Sequence, residues 1–288
     1  MNNTHHIIEI PTTNRTFYVP KELAHCNKQE FIAVANLLWQ WTSGIINFEE
    51  FKIQAIYKLL NLKPSRKEAK SLENENKHAN IYLVAQLLES FFDKKEEKRQ
   101  IKQNFTHNHV PKVTPIFRTY HGPSNEFNNA TFGQYEDGLN LYHLFSLDQD
   151  VELLYMLMAT FYLPKGATYN SNLTTKRAQK FKHIDFGDVY GFYLFFGAFQ
   201  LYLTTSKVWW QGKEIDLSII FSSSGSTFTS DLADLGGKSI VYYIAKLNFF
   251  GDVKKVRKTN LWEIMLALYD VRKEHLDEKA QEKQKPNS

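Results

Sequence analysis

At 288 residues, with 43% hydrophobic and 23% charged residues, the chain is long enough for one large globular domain or two small ones. Its net charge of +4 is too weak to argue for nucleic acid by itself, and its single cysteine, Cys26, excludes an intrachain disulfide and a multi-cysteine metal site. The first residues lack the basic stretch and apolar run of a secretory leader, so a reducing, cytoplasmic compartment is expected. The Asn-x-Ser/Thr triplets at Asn14, Asn104, Asn129 and Asn172 are then chance.

In chain order, Ile7 to Ile10 and Phe17 to Val19 are β-prone runs separated by Pro11 to Asn14, which predicts a hairpin ended by Pro20. Asn27 with Glu30, and Asn47 with Glu50, are capping boxes that open two helices. Phe31, Val34, Leu38 and Trp41 line the first at helical spacing; Phe51, Ala55, Leu59 and Leu62 line the second. Residues 1–62 thus read as an N-terminal domain of one hairpin and two helices. Lys63 to Ala79 turns polar and reads as a linker. Ile81, Val84, Leu88 and Phe91 mark a further helix, and the charged run from Lys94 to Gln103 reads as its solvated extension. Val110 to Gly138 is rich in Pro, Gly and Asn and is expected to be an irregular loop, which closes a linking segment at 63–137.

The main helical body is expected over 138–276. Asp148 is placed as the cap of a helix from Gln149 to Leu163, stopped by Pro164 and Gly166. Thr174 to Lys182 is a short basic helix. Asp185 to Tyr202 follows, with eight aromatic residues and a lone interior carboxylate, Asp188. A helix apolar on every side must be buried on every side. Its uninterrupted apolar part, Val189 to Phe199, is well short of the ~20 residues that cross a membrane, so it reads as a core helix. Lys207 to Trp210 and Ile215 to Phe221 flank a turn at Gln211 to Glu214 and predict a second hairpin. Ser222 to Ser230 is a loop; Ile240, Tyr243, Ile244 and Leu247 form a helix face before Gly251; Asn260 with Glu263 opens a last helix. From Asp277 onward no large apolar residue remains, and 277–288 is expected to fray as a disordered tail.

Chemical motifs are sparse. His107 and His109 could meet on a strand, but no further ligand completes a metal set. Cys26 lies before a helix start without a positioned base. Gly236 to Ser239 ends like a phosphate loop but lacks the earlier glycine. Glu136 and Asp137 fall in the irregular loop and read as surface carboxylates. No catalytic, cofactor or metal residue is assigned.

Two features point instead to recognition. Lys254, Lys255, Arg257 and Lys258 stand directly before the last helix, where cations oppose the helix dipole unless an anionic surface lies opposite. Lys176, Arg177, Lys180 and Lys182 form a second basic cluster. No DNA- or RNA-binding motif accompanies either cluster, so no specific nucleic acid is expected. Trp209 and Trp210 are successive on a predicted strand, so one indole is expected in the core and the other facing a partner.

The hairpin followed by Pro20-Lys21-Glu22-Leu23, the Gln29-Glu30-Phe31 helix start and the two helices to Leu62 resembles the opening of proteins from the tail modules of tailed phages and prophages. Glu152 to Asn170, followed by a basic helix and the aromatic helix, is similar to central parts of such proteins. The resemblance implies a non-enzymatic tail-assembly chaperone or minor virion subunit. Its partners would be other tail or neck proteins, with homo-oligomerisation, no membrane and no cofactor. It would reside in the host cytoplasm during assembly, or in the virion. The alternatives are a small soluble enzyme with an unrecognised site and a membrane-associated protein. The expected fold is mainly α, a helical bundle with two small β-hairpins.

Overall fold

A computed structural model describes residues 4–10, 14–62, 72–95, 98–221 and 237–284. The expectations for the linker at 63–71, the loop at 222–230 and the last four residues fall outside them. The fold is mainly α, 61% helical, with small antiparallel sheets. Strands β1 (His5–Ile10) and β2 (Arg15–Pro20) pair from His5 opposite Pro20 to Ile10 opposite Arg15. Of the predicted capping boxes, those at Asn27 and Asn47 form, where Asn27 caps α1 (Lys28–Thr42) and Asn47 caps α2 (Phe48–Leu59); the Asn260 side chain accepts from Trp262 N–H at 2.8 Å. In both boxes the asparagine accepts from the backbone N–H of its glutamate, and the glutamate accepts from the asparagine N–H.

The charged run after Phe91 departs from expectation. Helix α3 (Leu72–Ala85) begins inside the predicted linker and tightens into a 3-10 turn over Gln86–Phe91. The chain then forms a hairpin, β3 (Phe92–Lys95) with β4 (Lys98–Ile101), and not a helical extension. A segment polar on all sides has no stripe to bury as a helix. As a hairpin it anchors itself through buried Phe92, opposite Ile101. The four-residue strands β3 and β4 and a three-stranded sheet therefore add to the two hairpins expected.

That sheet has the order β5 (Lys112–Val113), β6 (Tyr120–His121), β7 (Leu163–Pro164). Helix α4 (Phe132–Asp148) starts six residues before the predicted end of the irregular loop. Its signal is a capping box not singled out in the sequence, Thr131 with Gln134, in which the Gln134 side-chain oxygen accepts from the Thr131 N–H at 3.0 Å. Gln149 adopts a left-handed conformation and ends α4. The cap of α5 (Val151–Phe161) is accordingly Asp150, not Asp148.

Helices α6 (Thr174–Phe181) and α7 (Phe186–Thr205) follow, the second being the predicted aromatic helix. β8 (Lys207–Trp210) and β9 (Lys213–Asp216) form the second predicted hairpin, with a shorter return strand because α8 (Ser218–Phe221) takes up its end. α9 (Gly237–Leu247), α10 (Val253–Lys258) and α11 (Leu261–Gln284) complete the chain. α11 runs seven residues beyond Asp277, exposed over 277–282, where fraying was expected.

The chain forms two compact units, residues 1–110 with 183–195, and residues 111–182 with 196–288. Each is made of two separate stretches, a division that no single cut of the sequence produces. In the first, Trp41, Phe48, Phe51 and Phe92 meet with ring centroids 5.1–5.9 Å apart. Beside them Lys52 is 1% exposed and is held by Glu49 at 2.8 Å, Gln86 at 2.7 Å and Glu89 at 3.3 Å. A buried ammonium needs such a full set of acceptors. Gly187 of α7 lies against the backbone of α1: a Cβ there would stand 2.2 Å from the Ile32 carbonyl oxygen. In the second unit Phe127, Phe161, Phe196 and Phe199 form the aromatic centre. The buried guanidinium of Arg177 there donates to the carbonyls of Ala159 and Asn170 and to Thr174.

Candidate functional site

Within the second unit, the start of α4 and all of α10 are drawn together by local chemistry. Phe132 N–H donates to Thr259 O and Leu261 N–H to Ala130 O, both at 2.9 Å, so the two chain segments clasp as a short antiparallel bridge. Asn260 Nδ2 donates to Asn128 O and Trp262 Nε1 to Glu126 O, both at 2.8 Å. Gly133 lets the backbones touch, because a Cβ there would meet the Arg257 carbonyl oxygen at 2.8 Å. This contact brings Arg257 onto the side of α4. One of its guanidinium nitrogens reaches Glu136 and the other donates to Asp137 at 2.7 Å.

Glu136 and Asp137 are therefore not surface carboxylates of a loop. They lie on α4, and the Glu136 side chain is only 1% exposed. Tyr169 adds to the network by donating to Asp137 at 2.6 Å. Burial, and then the neighbouring Asp137, hold the Tyr169 phenol well above its ordinary pKa, so it stays protonated and a donor. The Arg177 guanidinium lies 5.8 Å from the centre of the Tyr169 ring.

Above this network opens a cleft of about 780 Å³. One wall is α10, with Lys254, Arg257 and Lys258; Lys254 and Lys258 are one turn apart and exposed. The other walls carry amides and hydroxyls, among them Asn129, Thr131, Asn170 and Ser171. No carboxylate belongs to the lining among the described residues. The charge of Arg257 is more than offset by its two carboxylates, whereas Lys254 and Lys258 form no ion pair among the described residues. The positive charge that faces the cleft is that of the two lysines.

The sequence-derived cluster is thus brought to one site in part. Lys254, Arg257 and Lys258 line the cleft and Lys255 does not. The dipole argument for these cations is corrected: they do stand before α11, but they form a short helix of their own. α10 is capped by Asp252, which accepts from Lys255 N–H at 2.9 Å, and Lys255, Arg257 and Lys258 occupy its last turn, where the dipole favours cations. Trp209 and Trp210 lie elsewhere, on β8. Neither is in the core, with exposures of 72% and 43%, because the two-stranded hairpin leaves both of its faces open at these positions. Sequence reasoning missed Glu136, Asp137 and Tyr169. The Thr131-x-x-Gln134 box would have placed the first two on a helix.

The remaining motifs have structural roles. His109 stacks on Phe31 at 4.3 Å, and burial pushes its imidazole down to about 4. The Cys26 thiol is buried, which raises its pKa well above the ordinary range, and it faces the Glu22 carbonyl. Of the Gly-Lys-Ser motif, Gly236 lies outside the described residues and Gly237 opens α9. No described helix is long and apolar enough to cross a membrane. Comparison with protein-family models, curated proteins and solved structures gave no match.

Proposed function

We propose that the protein acts by recognition and not by catalysis, holding an anionic part of a partner protein in the α4–α10 cleft. The observation that carries this reading is the lining itself: two lysines without an ion pair among the described residues face a hollow of amides and hydroxyls with no carboxylate among its described residues. Such a surface attracts and orients an anion, and it disfavours cationic partners. The carboxylates and the phenol beside the cleft are already engaged: Arg257 holds Glu136 and Asp137, and Tyr169 donates to Asp137. A general base needs a lone pair directed at substrate, and these groups direct theirs at each other. Exposed Trp209 and Trp210 supply a second, apolar contact surface on β8.

The partner class comes from the resemblance to tail-module proteins, which makes the chain a tail-assembly chaperone or minor virion subunit of a phage or prophage. The test is co-expression with each protein encoded beside it. One of them should co-purify with the wild type and be lost from Lys254→Glu/Lys258→Glu, whose melting temperature should stay within about 2 °C because both side chains are exposed. Retention of that partner by the double variant would overturn the cleft as the contact. A metabolic operon in place of tail genes would sink the tail reading.

A further inference from the structure

We infer that the occupant of the cleft is an extended, acidic polypeptide segment rather than a compact anion such as phosphate or a nucleotide; this rests on the recognition reading above. A second hollow, of about 240 Å³, adjoins the cleft and shares Asn129, Gln134, Leu163 and Ala167 with it as walls. Leu163, common to both, belongs to β7, an edge strand of its sheet.

Each hollow carries basic side chains of its own: Lys254 and Lys258 line the first, and His121 and Lys165 line the second, all exposed. Lys165 is set at the rim by a tight turn in which Ala167 N–H donates to Pro164 O at 3.0 Å and Gly166 takes a positive φ of 76°. The second hollow is otherwise amide and apolar, with Gln134, Ala130, Phe161 and Leu163. Neither hollow has a carboxylate among its described lining residues. Cations in two adjoining hollows match a chain with acidic side chains along its length, whereas a single phosphate would use one hollow alone. The Tyr and Phe rings that could stack on a base are already engaged: Tyr169 lies beside Arg177 and donates to Asp137, and Phe161 is buried against Phe127 and Phe196.

The test uses the full chain and a fluorescein-labelled peptide of about ten residues, ~33 Å when extended, alternating Glu with Ala. The controls are the same peptide with Gln for Glu, inorganic phosphate and ATP. The Glu peptide should bind and the Gln peptide should not. Lys165→Glu in the second hollow and Lys254→Glu/Lys258→Glu in the first should each weaken binding, Lys165→Glu by roughly three- to tenfold, since exposed ion pairs are individually weak and reversal adds repulsion. Binding should fall as salt rises, because exposed charges are screened within ~8 Å at physiological ionic strength. If Lys254→Glu/Lys258→Glu weakens binding while Lys165→Glu has no effect, or if phosphate or ATP displaces the peptide at equal concentration, the extended occupant is wrong and the anion cleft stands. If the lysine pair can be reversed without effect, or the wild type binds neither peptide, the cleft itself is wrong.

Discussion

Asp188 offers a sharp test of the packing around α7. Its Oδ1 is shielded from solvent and accepts no hydrogen bond among the described residues, and its carboxyl is pushed from 3.8 up to about 6. Burial is the main cause; Asp185 adds to it and Lys28 opposes it. A carboxyl with a raised folded pKa binds its proton more tightly in the folded state than in the unfolded chain. Its contribution to stability is therefore unfavourable, absent below the unfolded value near 4, and complete once the pH has risen through about 6. A shift of two units corresponds to about 3 kcal/mol, and residual solvent contact lowers the expectation to about 1–3 kcal/mol. Asp188→Asn keeps the shape and removes the charge. Denaturant titrations should show the variant more stable by that amount at about pH 7.5, with the gain shrinking to near zero at about pH 4. A variant less stable at pH 7.5, or an effect that does not change with pH, would show that the carboxyl is not desolvated as the structure has it.

Three further outcomes follow from the packing. Arg257→Ala removes the guanidinium from a carboxylate that is 1% exposed, and should cost about 3–5 kcal/mol by denaturant titration; adding Glu136→Gln should recover a large part of it. Phe195→Ala, at 1% exposure, should cost roughly 3–5 kcal/mol, and a loss below about 1 kcal/mol would mean that α7 is not central to its surroundings. Trp209→Ala and Trp210→Ala should each shift stability by less than about 0.5–1 kcal/mol, since neither indole is in the core; a larger loss for Trp209 would restore the core role first assigned to one of the pair.

What could be read in the sequence was what local chemistry decides. The capping asparagines at 27 and 47 and the all-round apolar face of α7 each specify a helix without reference to anything distant. The candidate site resisted because its parts lie far apart in the chain: Asp137 and Arg257 meet across 120 residues. A basic run such as Val253 to Lys258 has no apolar stripe of its own beyond Val253 and Val256. Its six-residue helix exists because Asp252 caps it and Gly133 lets α4 approach it. The charged segment after Phe91 was misread for a related reason. One buried aromatic, Phe92, decides between helix and hairpin there, and a charge pattern does not reveal it.

The same geometry separates the roles of three cations on one short helix. Positions 254, 257 and 258 share a face, so all three line the cleft, yet they do different work. Arg257 has two carboxylates to satisfy, one of them buried, and a forked guanidinium is the side chain that can serve both at once. A lysine there would reach one carboxylate and leave the other with less compensation. Lys254 and Lys258 flank it as mobile point charges without such partners among the described residues, so replacing them should leave folding intact. Loss of binding in an Arg257 variant would therefore carry no information about recognition, because the fold around Glu136 is disturbed at the same time. Loss of binding in Lys254 and Lys258 variants would, and the charge reversal belongs on those two residues.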